Sequence, residues 1–233
     1  MNLTDFFSSL SYLPVMLTVG CYLLAVYVQK KTGWGFLSPI ILAAAAVFLV
    51  LKLIRMPVAA YTRENRFLAY LLTPATICLG LSLYEQLQKL KKELPILLAG
   101  ILAGTVSSLL VTVLLCRLFQ LNGALSVSLL PKSVTTAIGS VLSEENGGSA
   151  SVTTAAIILT GNVGYLLGPD LCRLFRHSDP LARGVAYGTA AHVIGTSRAL
   201  TEDPLAGAAS SLSLTVAGLV TALVFPLVLR FIG

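Results

Sequence analysis

The chain has 233 residues, of which 56% are hydrophobic and only 11% charged. A soluble domain carries about 25% charged residues, so the composition excludes an ordinary soluble fold. The net charge of +6 does not indicate nucleic acid, because the basic residues sit in short loops between apolar runs, where the orientation rule for membrane proteins places them.

In chain order, strong apolar segments are expected at about 12–28, 37–54, 95–119, 150–169 and 205–230, and such runs read as membrane helices. The first follows MNLTDFFSSLS, which has no basic stretch, and reads as a retained helix rather than a cleaved signal peptide. Pro226 interrupts the last near its end. Three weaker segments, about 66–84, 125–142 and 183–200, are rich in Gly, Pro, Ser and Thr. An unpaired backbone group in lipid costs several kcal/mol, so irregular backbone is tolerated only where protein or a water-filled cavity surrounds it. Broken segments of this kind point to where a substrate sits in secondary transporters. The expectation is an all-α polytopic membrane protein, one transmembrane domain over 1–233, with discontinuous or re-entrant helices.

A faint internal repeat adds to this. Leu13-Pro14 with Thr18 precedes Leu130-Pro131 with Thr135 by a fixed offset, and LTPATI at 72–77 lies at nearly that offset from GTAAHV at 188–193. Repeat halves of 12–119 and 125–231 follow. If every segment spans, Arg55, Arg63, Arg66, Arg117, Arg173, Arg176, Arg183 and Arg230 share one side and Lys30, Lys31, Lys89, Lys91 and Lys92 the other. The arginine side would then be cytoplasmic. A re-entrant segment would instead make the count odd and the repeats inverted. Cys21, Cys78, Cys116 and Cys172 form no CxxC pair or Cys/His spacing, so they read as packing residues, with no metal, disulfide framework or cofactor expected.

Three polar constellations carry the chemistry. In PKSVTT, Pro131 suits a helix start or break. A helix beginning there would aim free N–H groups and a positive dipole end at what precedes it, and Lys132, Ser133, Thr135 and Thr136 would add a charge and donors, an assembly suited to an anion. The bland reading is that Lys132 snorkels and the hydroxyls bond back to helix carbonyls. In GTAAHVIGTSRAL, Thr189, His192, Thr196 and Arg198 lie among glycines, with His192 and Thr196 on one helical face. Histidine here reads as a proton relay or ligand contact, or as a hydrogen-bonded packing residue. The third constellation is LTPATI, where Pro74 breaks an apolar run beside Thr73 and Thr76; Asn162 in the 150–169 segment is a further candidate.

PKSVTT, the SEENGG turn, TGNVGYLLGP, ARGVAYGTAAHVIGTSRAL and GAASSLSL together resemble the LrgB/CidB family, as does PATICLGLSLYEQ upstream, over about residues 35–230. Ala137 and Ser82 stand where that pattern carries prolines, which would remove helix kinks. The resemblance implies a transporter-like repeat fold in the cell inner membrane and carriage of a small monocarboxylate such as glycolate, glycerate or pyruvate. It also implies a small LrgA/CidA-type membrane partner. Lys132 and Arg198 would be the counter-charges and His192 a proton-coupling group, with homo-oligomerisation left open. The rival is an antiholin- or holin-like regulator of murein hydrolase activity and lysis. A membrane enzyme is disfavoured, because no nucleophile–base pair is visible.

Overall fold

The computed structural model describes residues 12–32, 39–71, 74, 77–78, 84–85, 87–176 and 178–231. Among them are eleven helices. The chain divides into two compact units, residues 1–78 and 79–233; of the halves expected from sequence, 12–119 runs across that division and 125–231 lies within the larger unit.

The smaller unit holds α1 (Leu13–Thr32), α2 (Pro39–Ile54), α3 (Val58–Glu64) and α4 (Arg66–Tyr70). Cys21, Val47 and Leu51 form its buried seam, joined by Leu17, Ala46 and Tyr61. The chain turns by 118° between α2 and α3, through Arg55 at φ 54° and then Pro57, whose missing N–H suits the entry to a helix.

The larger unit holds α5 (Leu87–Lys92), α6 (Leu94–Leu118), α7 (Gly123–Leu129), α8 (Thr136–Glu145), α9 (Ala150–Leu174), α10 (Pro180–Glu202) and α11 (Pro204–Leu229). Helices α6, α9 and α11 are long and apolar enough to cross a membrane, as is α1. The protein is a multi-pass membrane protein. At one end of this unit, Arg117 donates from Nε to the Phe231 carbonyl at 2.8 Å, which joins the ends of α6 and α11. At the other, Leu97 packs with Ala208 and Ala209, with Leu181 and Leu205 against them, which joins the starts of α6, α10 and α11.

Neither weak segment of this unit spans. The 125–142 segment is a hairpin. Gly139, on α8, lies so close to the chain just beyond α7 that a Cβ there would sit 3.2 Å from the Pro131 carbonyl. Nearer the open end, Ser128 Oγ accepts from the Ser149 N–H at 2.8 Å. Helix α8 has 10 residues, a rise of about 15 Å, which is half of a ~30 Å hydrocarbon core. The 183–200 segment is the counterpart. Helix α10 breaks at His192, with φ 42° and ψ −134°, and folds back on itself. A Cβ on Gly195 would lie 2.6 Å from the Tyr187 carbonyl, and Arg183 meets Glu202 at 3.3 Å. The first hairpin enters from the end where α6 finishes, the second from the end where α6 starts.

The two halves of this arrangement, α6 with the first hairpin and α9 with the second, form an inverted repeat. Its mark in the letters is CRLFQ at 116–120 against CRLFR at 172–176. In each copy the last residue takes a left-handed turn, Gln120 at φ 49° and Arg176 at φ 54°. A capping side chain then starts the hairpin. Asn122 accepts from the Leu125 N–H and Asp179 from the Ala182 N–H, both at 2.8 Å. The arrangement with every segment spanning is therefore replaced. Arg117 and Arg230 lie at one end, while Arg173, Arg176 and Arg183 lie at the other, because each hairpin returns the chain to the end it left.

Helix α10 is packed through small residues. A Cβ on Gly188 would contact the Ser210 carbonyl and one on Gly184 the Ala206 carbonyl, both on α11. Close backbone approach of this kind replaces the hydrophobic driving force that lipid does not provide. By contrast, a Cβ on Gly100 of α6 would meet Val185 at 3.5 Å, an ordinary contact. Gly188→Ala is therefore expected to cost about 1–3 kcal/mol through overpacking, and Gly100→Ala almost nothing, measured as thermal unfolding in detergent. Topology gives a second check in a cysteine-free background. Gln120→Cys and Asn146→Cys should both react with an impermeant maleimide from one face of the membrane, and Arg176→Cys from the other. Labelling of positions 120 and 146 from opposite faces would show that the first hairpin spans.

Candidate functional site

The tip of the first hairpin is PKSVTT. Helix α7 tightens beyond Leu129, with Lys132 N–H bonding the Leu129 carbonyl and Val134 N–H the Pro131 carbonyl, each at 3.2 Å. Pro131 has no N–H to continue the α-helical ladder. Thr135 is extended (φ −70°, ψ 150°) and makes no side-chain cap. The first turn of α8 therefore has no side-chain cap, and the positive end of its helix dipole favours an anion nearby. Ala137 is exposed in this first turn. A proline there would find its N–H already unused, so its loss removes no kink, contrary to the expectation from sequence.

Lys132 is half-buried. Its Nζ donates to Ser133 Oγ at 3.2 Å and to Ser108 Oγ of α6 at 3.3 Å, and the two hydroxyls lie 3.0 Å apart. An ammonium has three donors, so one is left. Among the described residues no carboxylate lies within ion-pair distance of it. A charge at membrane depth is expensive and is held where it faces a partner or a cavity. Lys132 faces a cavity of about 490 Å³ that Ser107, Ser108 and Thr189 also line.

The second tip comes to the same place from the other end. Thr189 is buried, its Oγ1 bonds the Val185 carbonyl at 2.7 Å, and it packs on α6, where a Cβ on Gly104 would meet it at 3.1 Å. Between the tips lies an enclosed cavity of about 10 Å³, lined by Thr105, Ser108, Ser133, Thr189 and Thr221. That is room for about one water. Thr105 Oγ1 is buried there without a partner, a donor that a native interior normally satisfies.

Sequence candidates separate in three directions. Ser133, Lys132 and Thr189 converge. His192 turns toward α9 instead, where it is buried and its Nε2 lies 2.9 Å from the Ile157 carbonyl. A carbonyl only accepts, so Nε2 carries the proton. Asn162, also buried, stands next to Gly161, at which a Cβ would meet the His192 ring at 2.8 Å. Thr196 turns toward α11, bonding Ser210 Oγ at 2.8 Å. Arg198 is bound to Glu202 at 2.9 Å and sits 5.5 Å from the Tyr165 ring, lining a different cavity from Lys132. Thr135 is half-buried at its tip and Thr136 exposed. Thr73 and Thr76 lie outside the described residues.

The sequence profile of the LrgB-like family matches residues 18–231. The chain belongs to the LrgB-like family. The holin-like protein CidB of Staphylococcus aureus (strain N315) is 31% identical over 217 residues, 93% of this chain and 95% of that protein. The antiholin-like protein LrgB of Bacillus subtilis (strain 168) is 30% identical over 223 residues, 95% of this chain and 96% of that one. No solved structure matches.

Within this family member, the residues that sequence reasoning missed are Thr105, Ser108 and Thr221. The paired Ser107-Ser108 in an otherwise apolar helix was the available signal. Glu202, four residues after Arg198, was another, since that spacing makes a helical ion pair. The conformation of His192 gives a direct test. Its φ and ψ belong to a region that glycine enters freely and other residues enter at a cost of about 1–3 kcal/mol. His192→Gly and His192→Ala both lose the bond to Ile157, yet the glycine variant should be the more stable by about 1 kcal/mol or more in thermal unfolding. Equal stabilities would show that the break carries no backbone strain.

Proposed function

We propose that this protein is a secondary carrier of a small monocarboxylate anion across the cell inner membrane. The observation that supports this best is Lys132 without a carboxylate partner, set beside a helix N-terminus at one hairpin tip and facing a cavity that the opposite tip also lines. The ammonium and the N–H groups of α8 would hold the carboxylate, with Thr105 and whichever of the paired Ser108 and Ser133 hydroxyls keeps its proton free placed to donate to its oxygens. Glycolate, glycerate and pyruvate are the size class. The 10 Å³ cavity is too small for any of them, so the hairpins would part to admit one. His192 fits a hinge better than a proton carrier, since it lines neither tip cavity. Basic residues favour the Arg173, Arg176 and Arg183 end as cytoplasmic.

A second reading follows from the names of the relatives, holin-like and antiholin-like: a regulator of lysis, acting with a small membrane partner, that forms or blocks a pore. Proteoliposomes separate the two. The carrier reading expects saturable uptake of labelled glycolate, glycerate or pyruvate with no leakage of an entrapped dye. Lys132→Ala should reduce that uptake at least tenfold at matched protein density. Lys132→Arg should rescue it only in part, because a planar fork does not replace a compact ammonium. Dye leakage without saturable uptake, or unaltered uptake by Lys132→Ala, would favour the regulator.

A further inference from the structure

At the mouth of the second hairpin is a cleft of about 460 Å³ that the carrier reading does not use. Arg173, Arg176, Arg183 and Arg198 line it, with Ser178 and a single carboxylate, Glu202. Glu202 is fully engaged. It takes Arg183 at 3.3 Å, Arg198 at 2.9 Å and the Tyr187 hydroxyl at 3.0 Å. Arg173 reaches only the exposed Asp170, at 3.4 Å, and Asp179 is occupied capping α10. Arg176 has no carboxylate within ion-pair distance among the described residues. Arg183 Nε is buried without a hydrogen-bond partner among the described residues. The cleft therefore holds more positive charge than its own side chains neutralise.

We propose that this cleft is a binding site for a phosphate group, distinct from the tip cavity. A guanidinium fork matches phosphate oxygens in pairs, and four arginines with a serine hydroxyl supply more donors than the two oxygens of a carboxylate accept. The accessible part of the Arg183 guanidinium and Arg176 would contact the phosphate, with Arg173 adding to the field. Glu202 repels the incoming group, so neutralising it should strengthen binding. The phosphate could belong to a soluble ion or to an anionic lipid headgroup, since the cleft opens where helix ends meet the membrane surface.

The test uses the full chain in phosphatidylcholine nanodiscs, titrated with inorganic phosphate by calorimetry at constant ionic strength. A parallel arm uses discs containing phosphatidylglycerol without phosphate, read as lipid retained in native mass spectrometry. Saturable binding in either arm, weakened about five- to tenfold by the exposed double variant R173Q/R176Q and unaffected by R230Q at the opposite end, supports the site. The arm that responds names the source. Glu202→Gln should tighten binding several-fold. Binding in neither arm, or equal weakening by R230Q, would overturn the proposal, because the second outcome is general surface charge.

Discussion

Backbone polarity governs this fold. In hydrocarbon every N–H and C=O needs a partner, so a helix can stop at mid-depth only where other protein receives its ends. Here two helices stop there. The first hairpin turns at Pro131 to Thr135 and the second at His192, and both tips are covered by α6, with α9 and α11 closing the second. Three long helices are thus the wall that makes two interrupted ones affordable. The interruptions in turn bring a lysine, several hydroxyls and open helix N–H groups to a depth that a continuous helix would leave apolar.

Much of this was legible. The weak segments 125–142 and 183–200 stand out by composition, and PKSVTT reads as a helix start or break with a charge beside it, although the helix begins at Thr136 and Pro131 lies in the break before it. What composition does not encode is direction. A broken segment of about eighteen residues has the same hydropathy whether it crosses or returns, and only contacts such as Gly139 with Pro131 or Arg183 with Glu202 distinguish the two. The repeat was legible in letters as CRLFQ and CRLFR, but four matched residues are easily passed over when a longer period is being sought.

Arg198 shows a different limit. Along the sequence it lies close to Thr189 and His192, and a continuous helix would put these groups in one neighbourhood. The positive φ at His192 ends that continuity. Thr189 before it packs on α6, whereas Thr196 after it bonds Ser210 of α11 and Arg198 pairs with Glu202, so linear proximity misassigned the arginine to the Lys132 cavity. A histidine in a conformation that favours glycine cannot be anticipated from propensity, because the surrounding packing imposes it.

The small-residue packing of α10 has a mechanical consequence. Toward α11 its backbone is wedged against the Ala206 and Ser210 carbonyls, and toward α9 a Cβ at Gly164 or Gly168 would strike Ala191 or Tyr187. Toward α6 the contacts are looser, and the 490 Å³ cavity opens along that side. Stiffness around this hairpin is therefore anisotropic. Toward α9 and α11 the backbones approach too closely to admit a side chain at these glycines, while toward α6 there is more room. The softest coordinate, and so the one of largest amplitude, would be a rocking of the hairpin across the glycine face of α6.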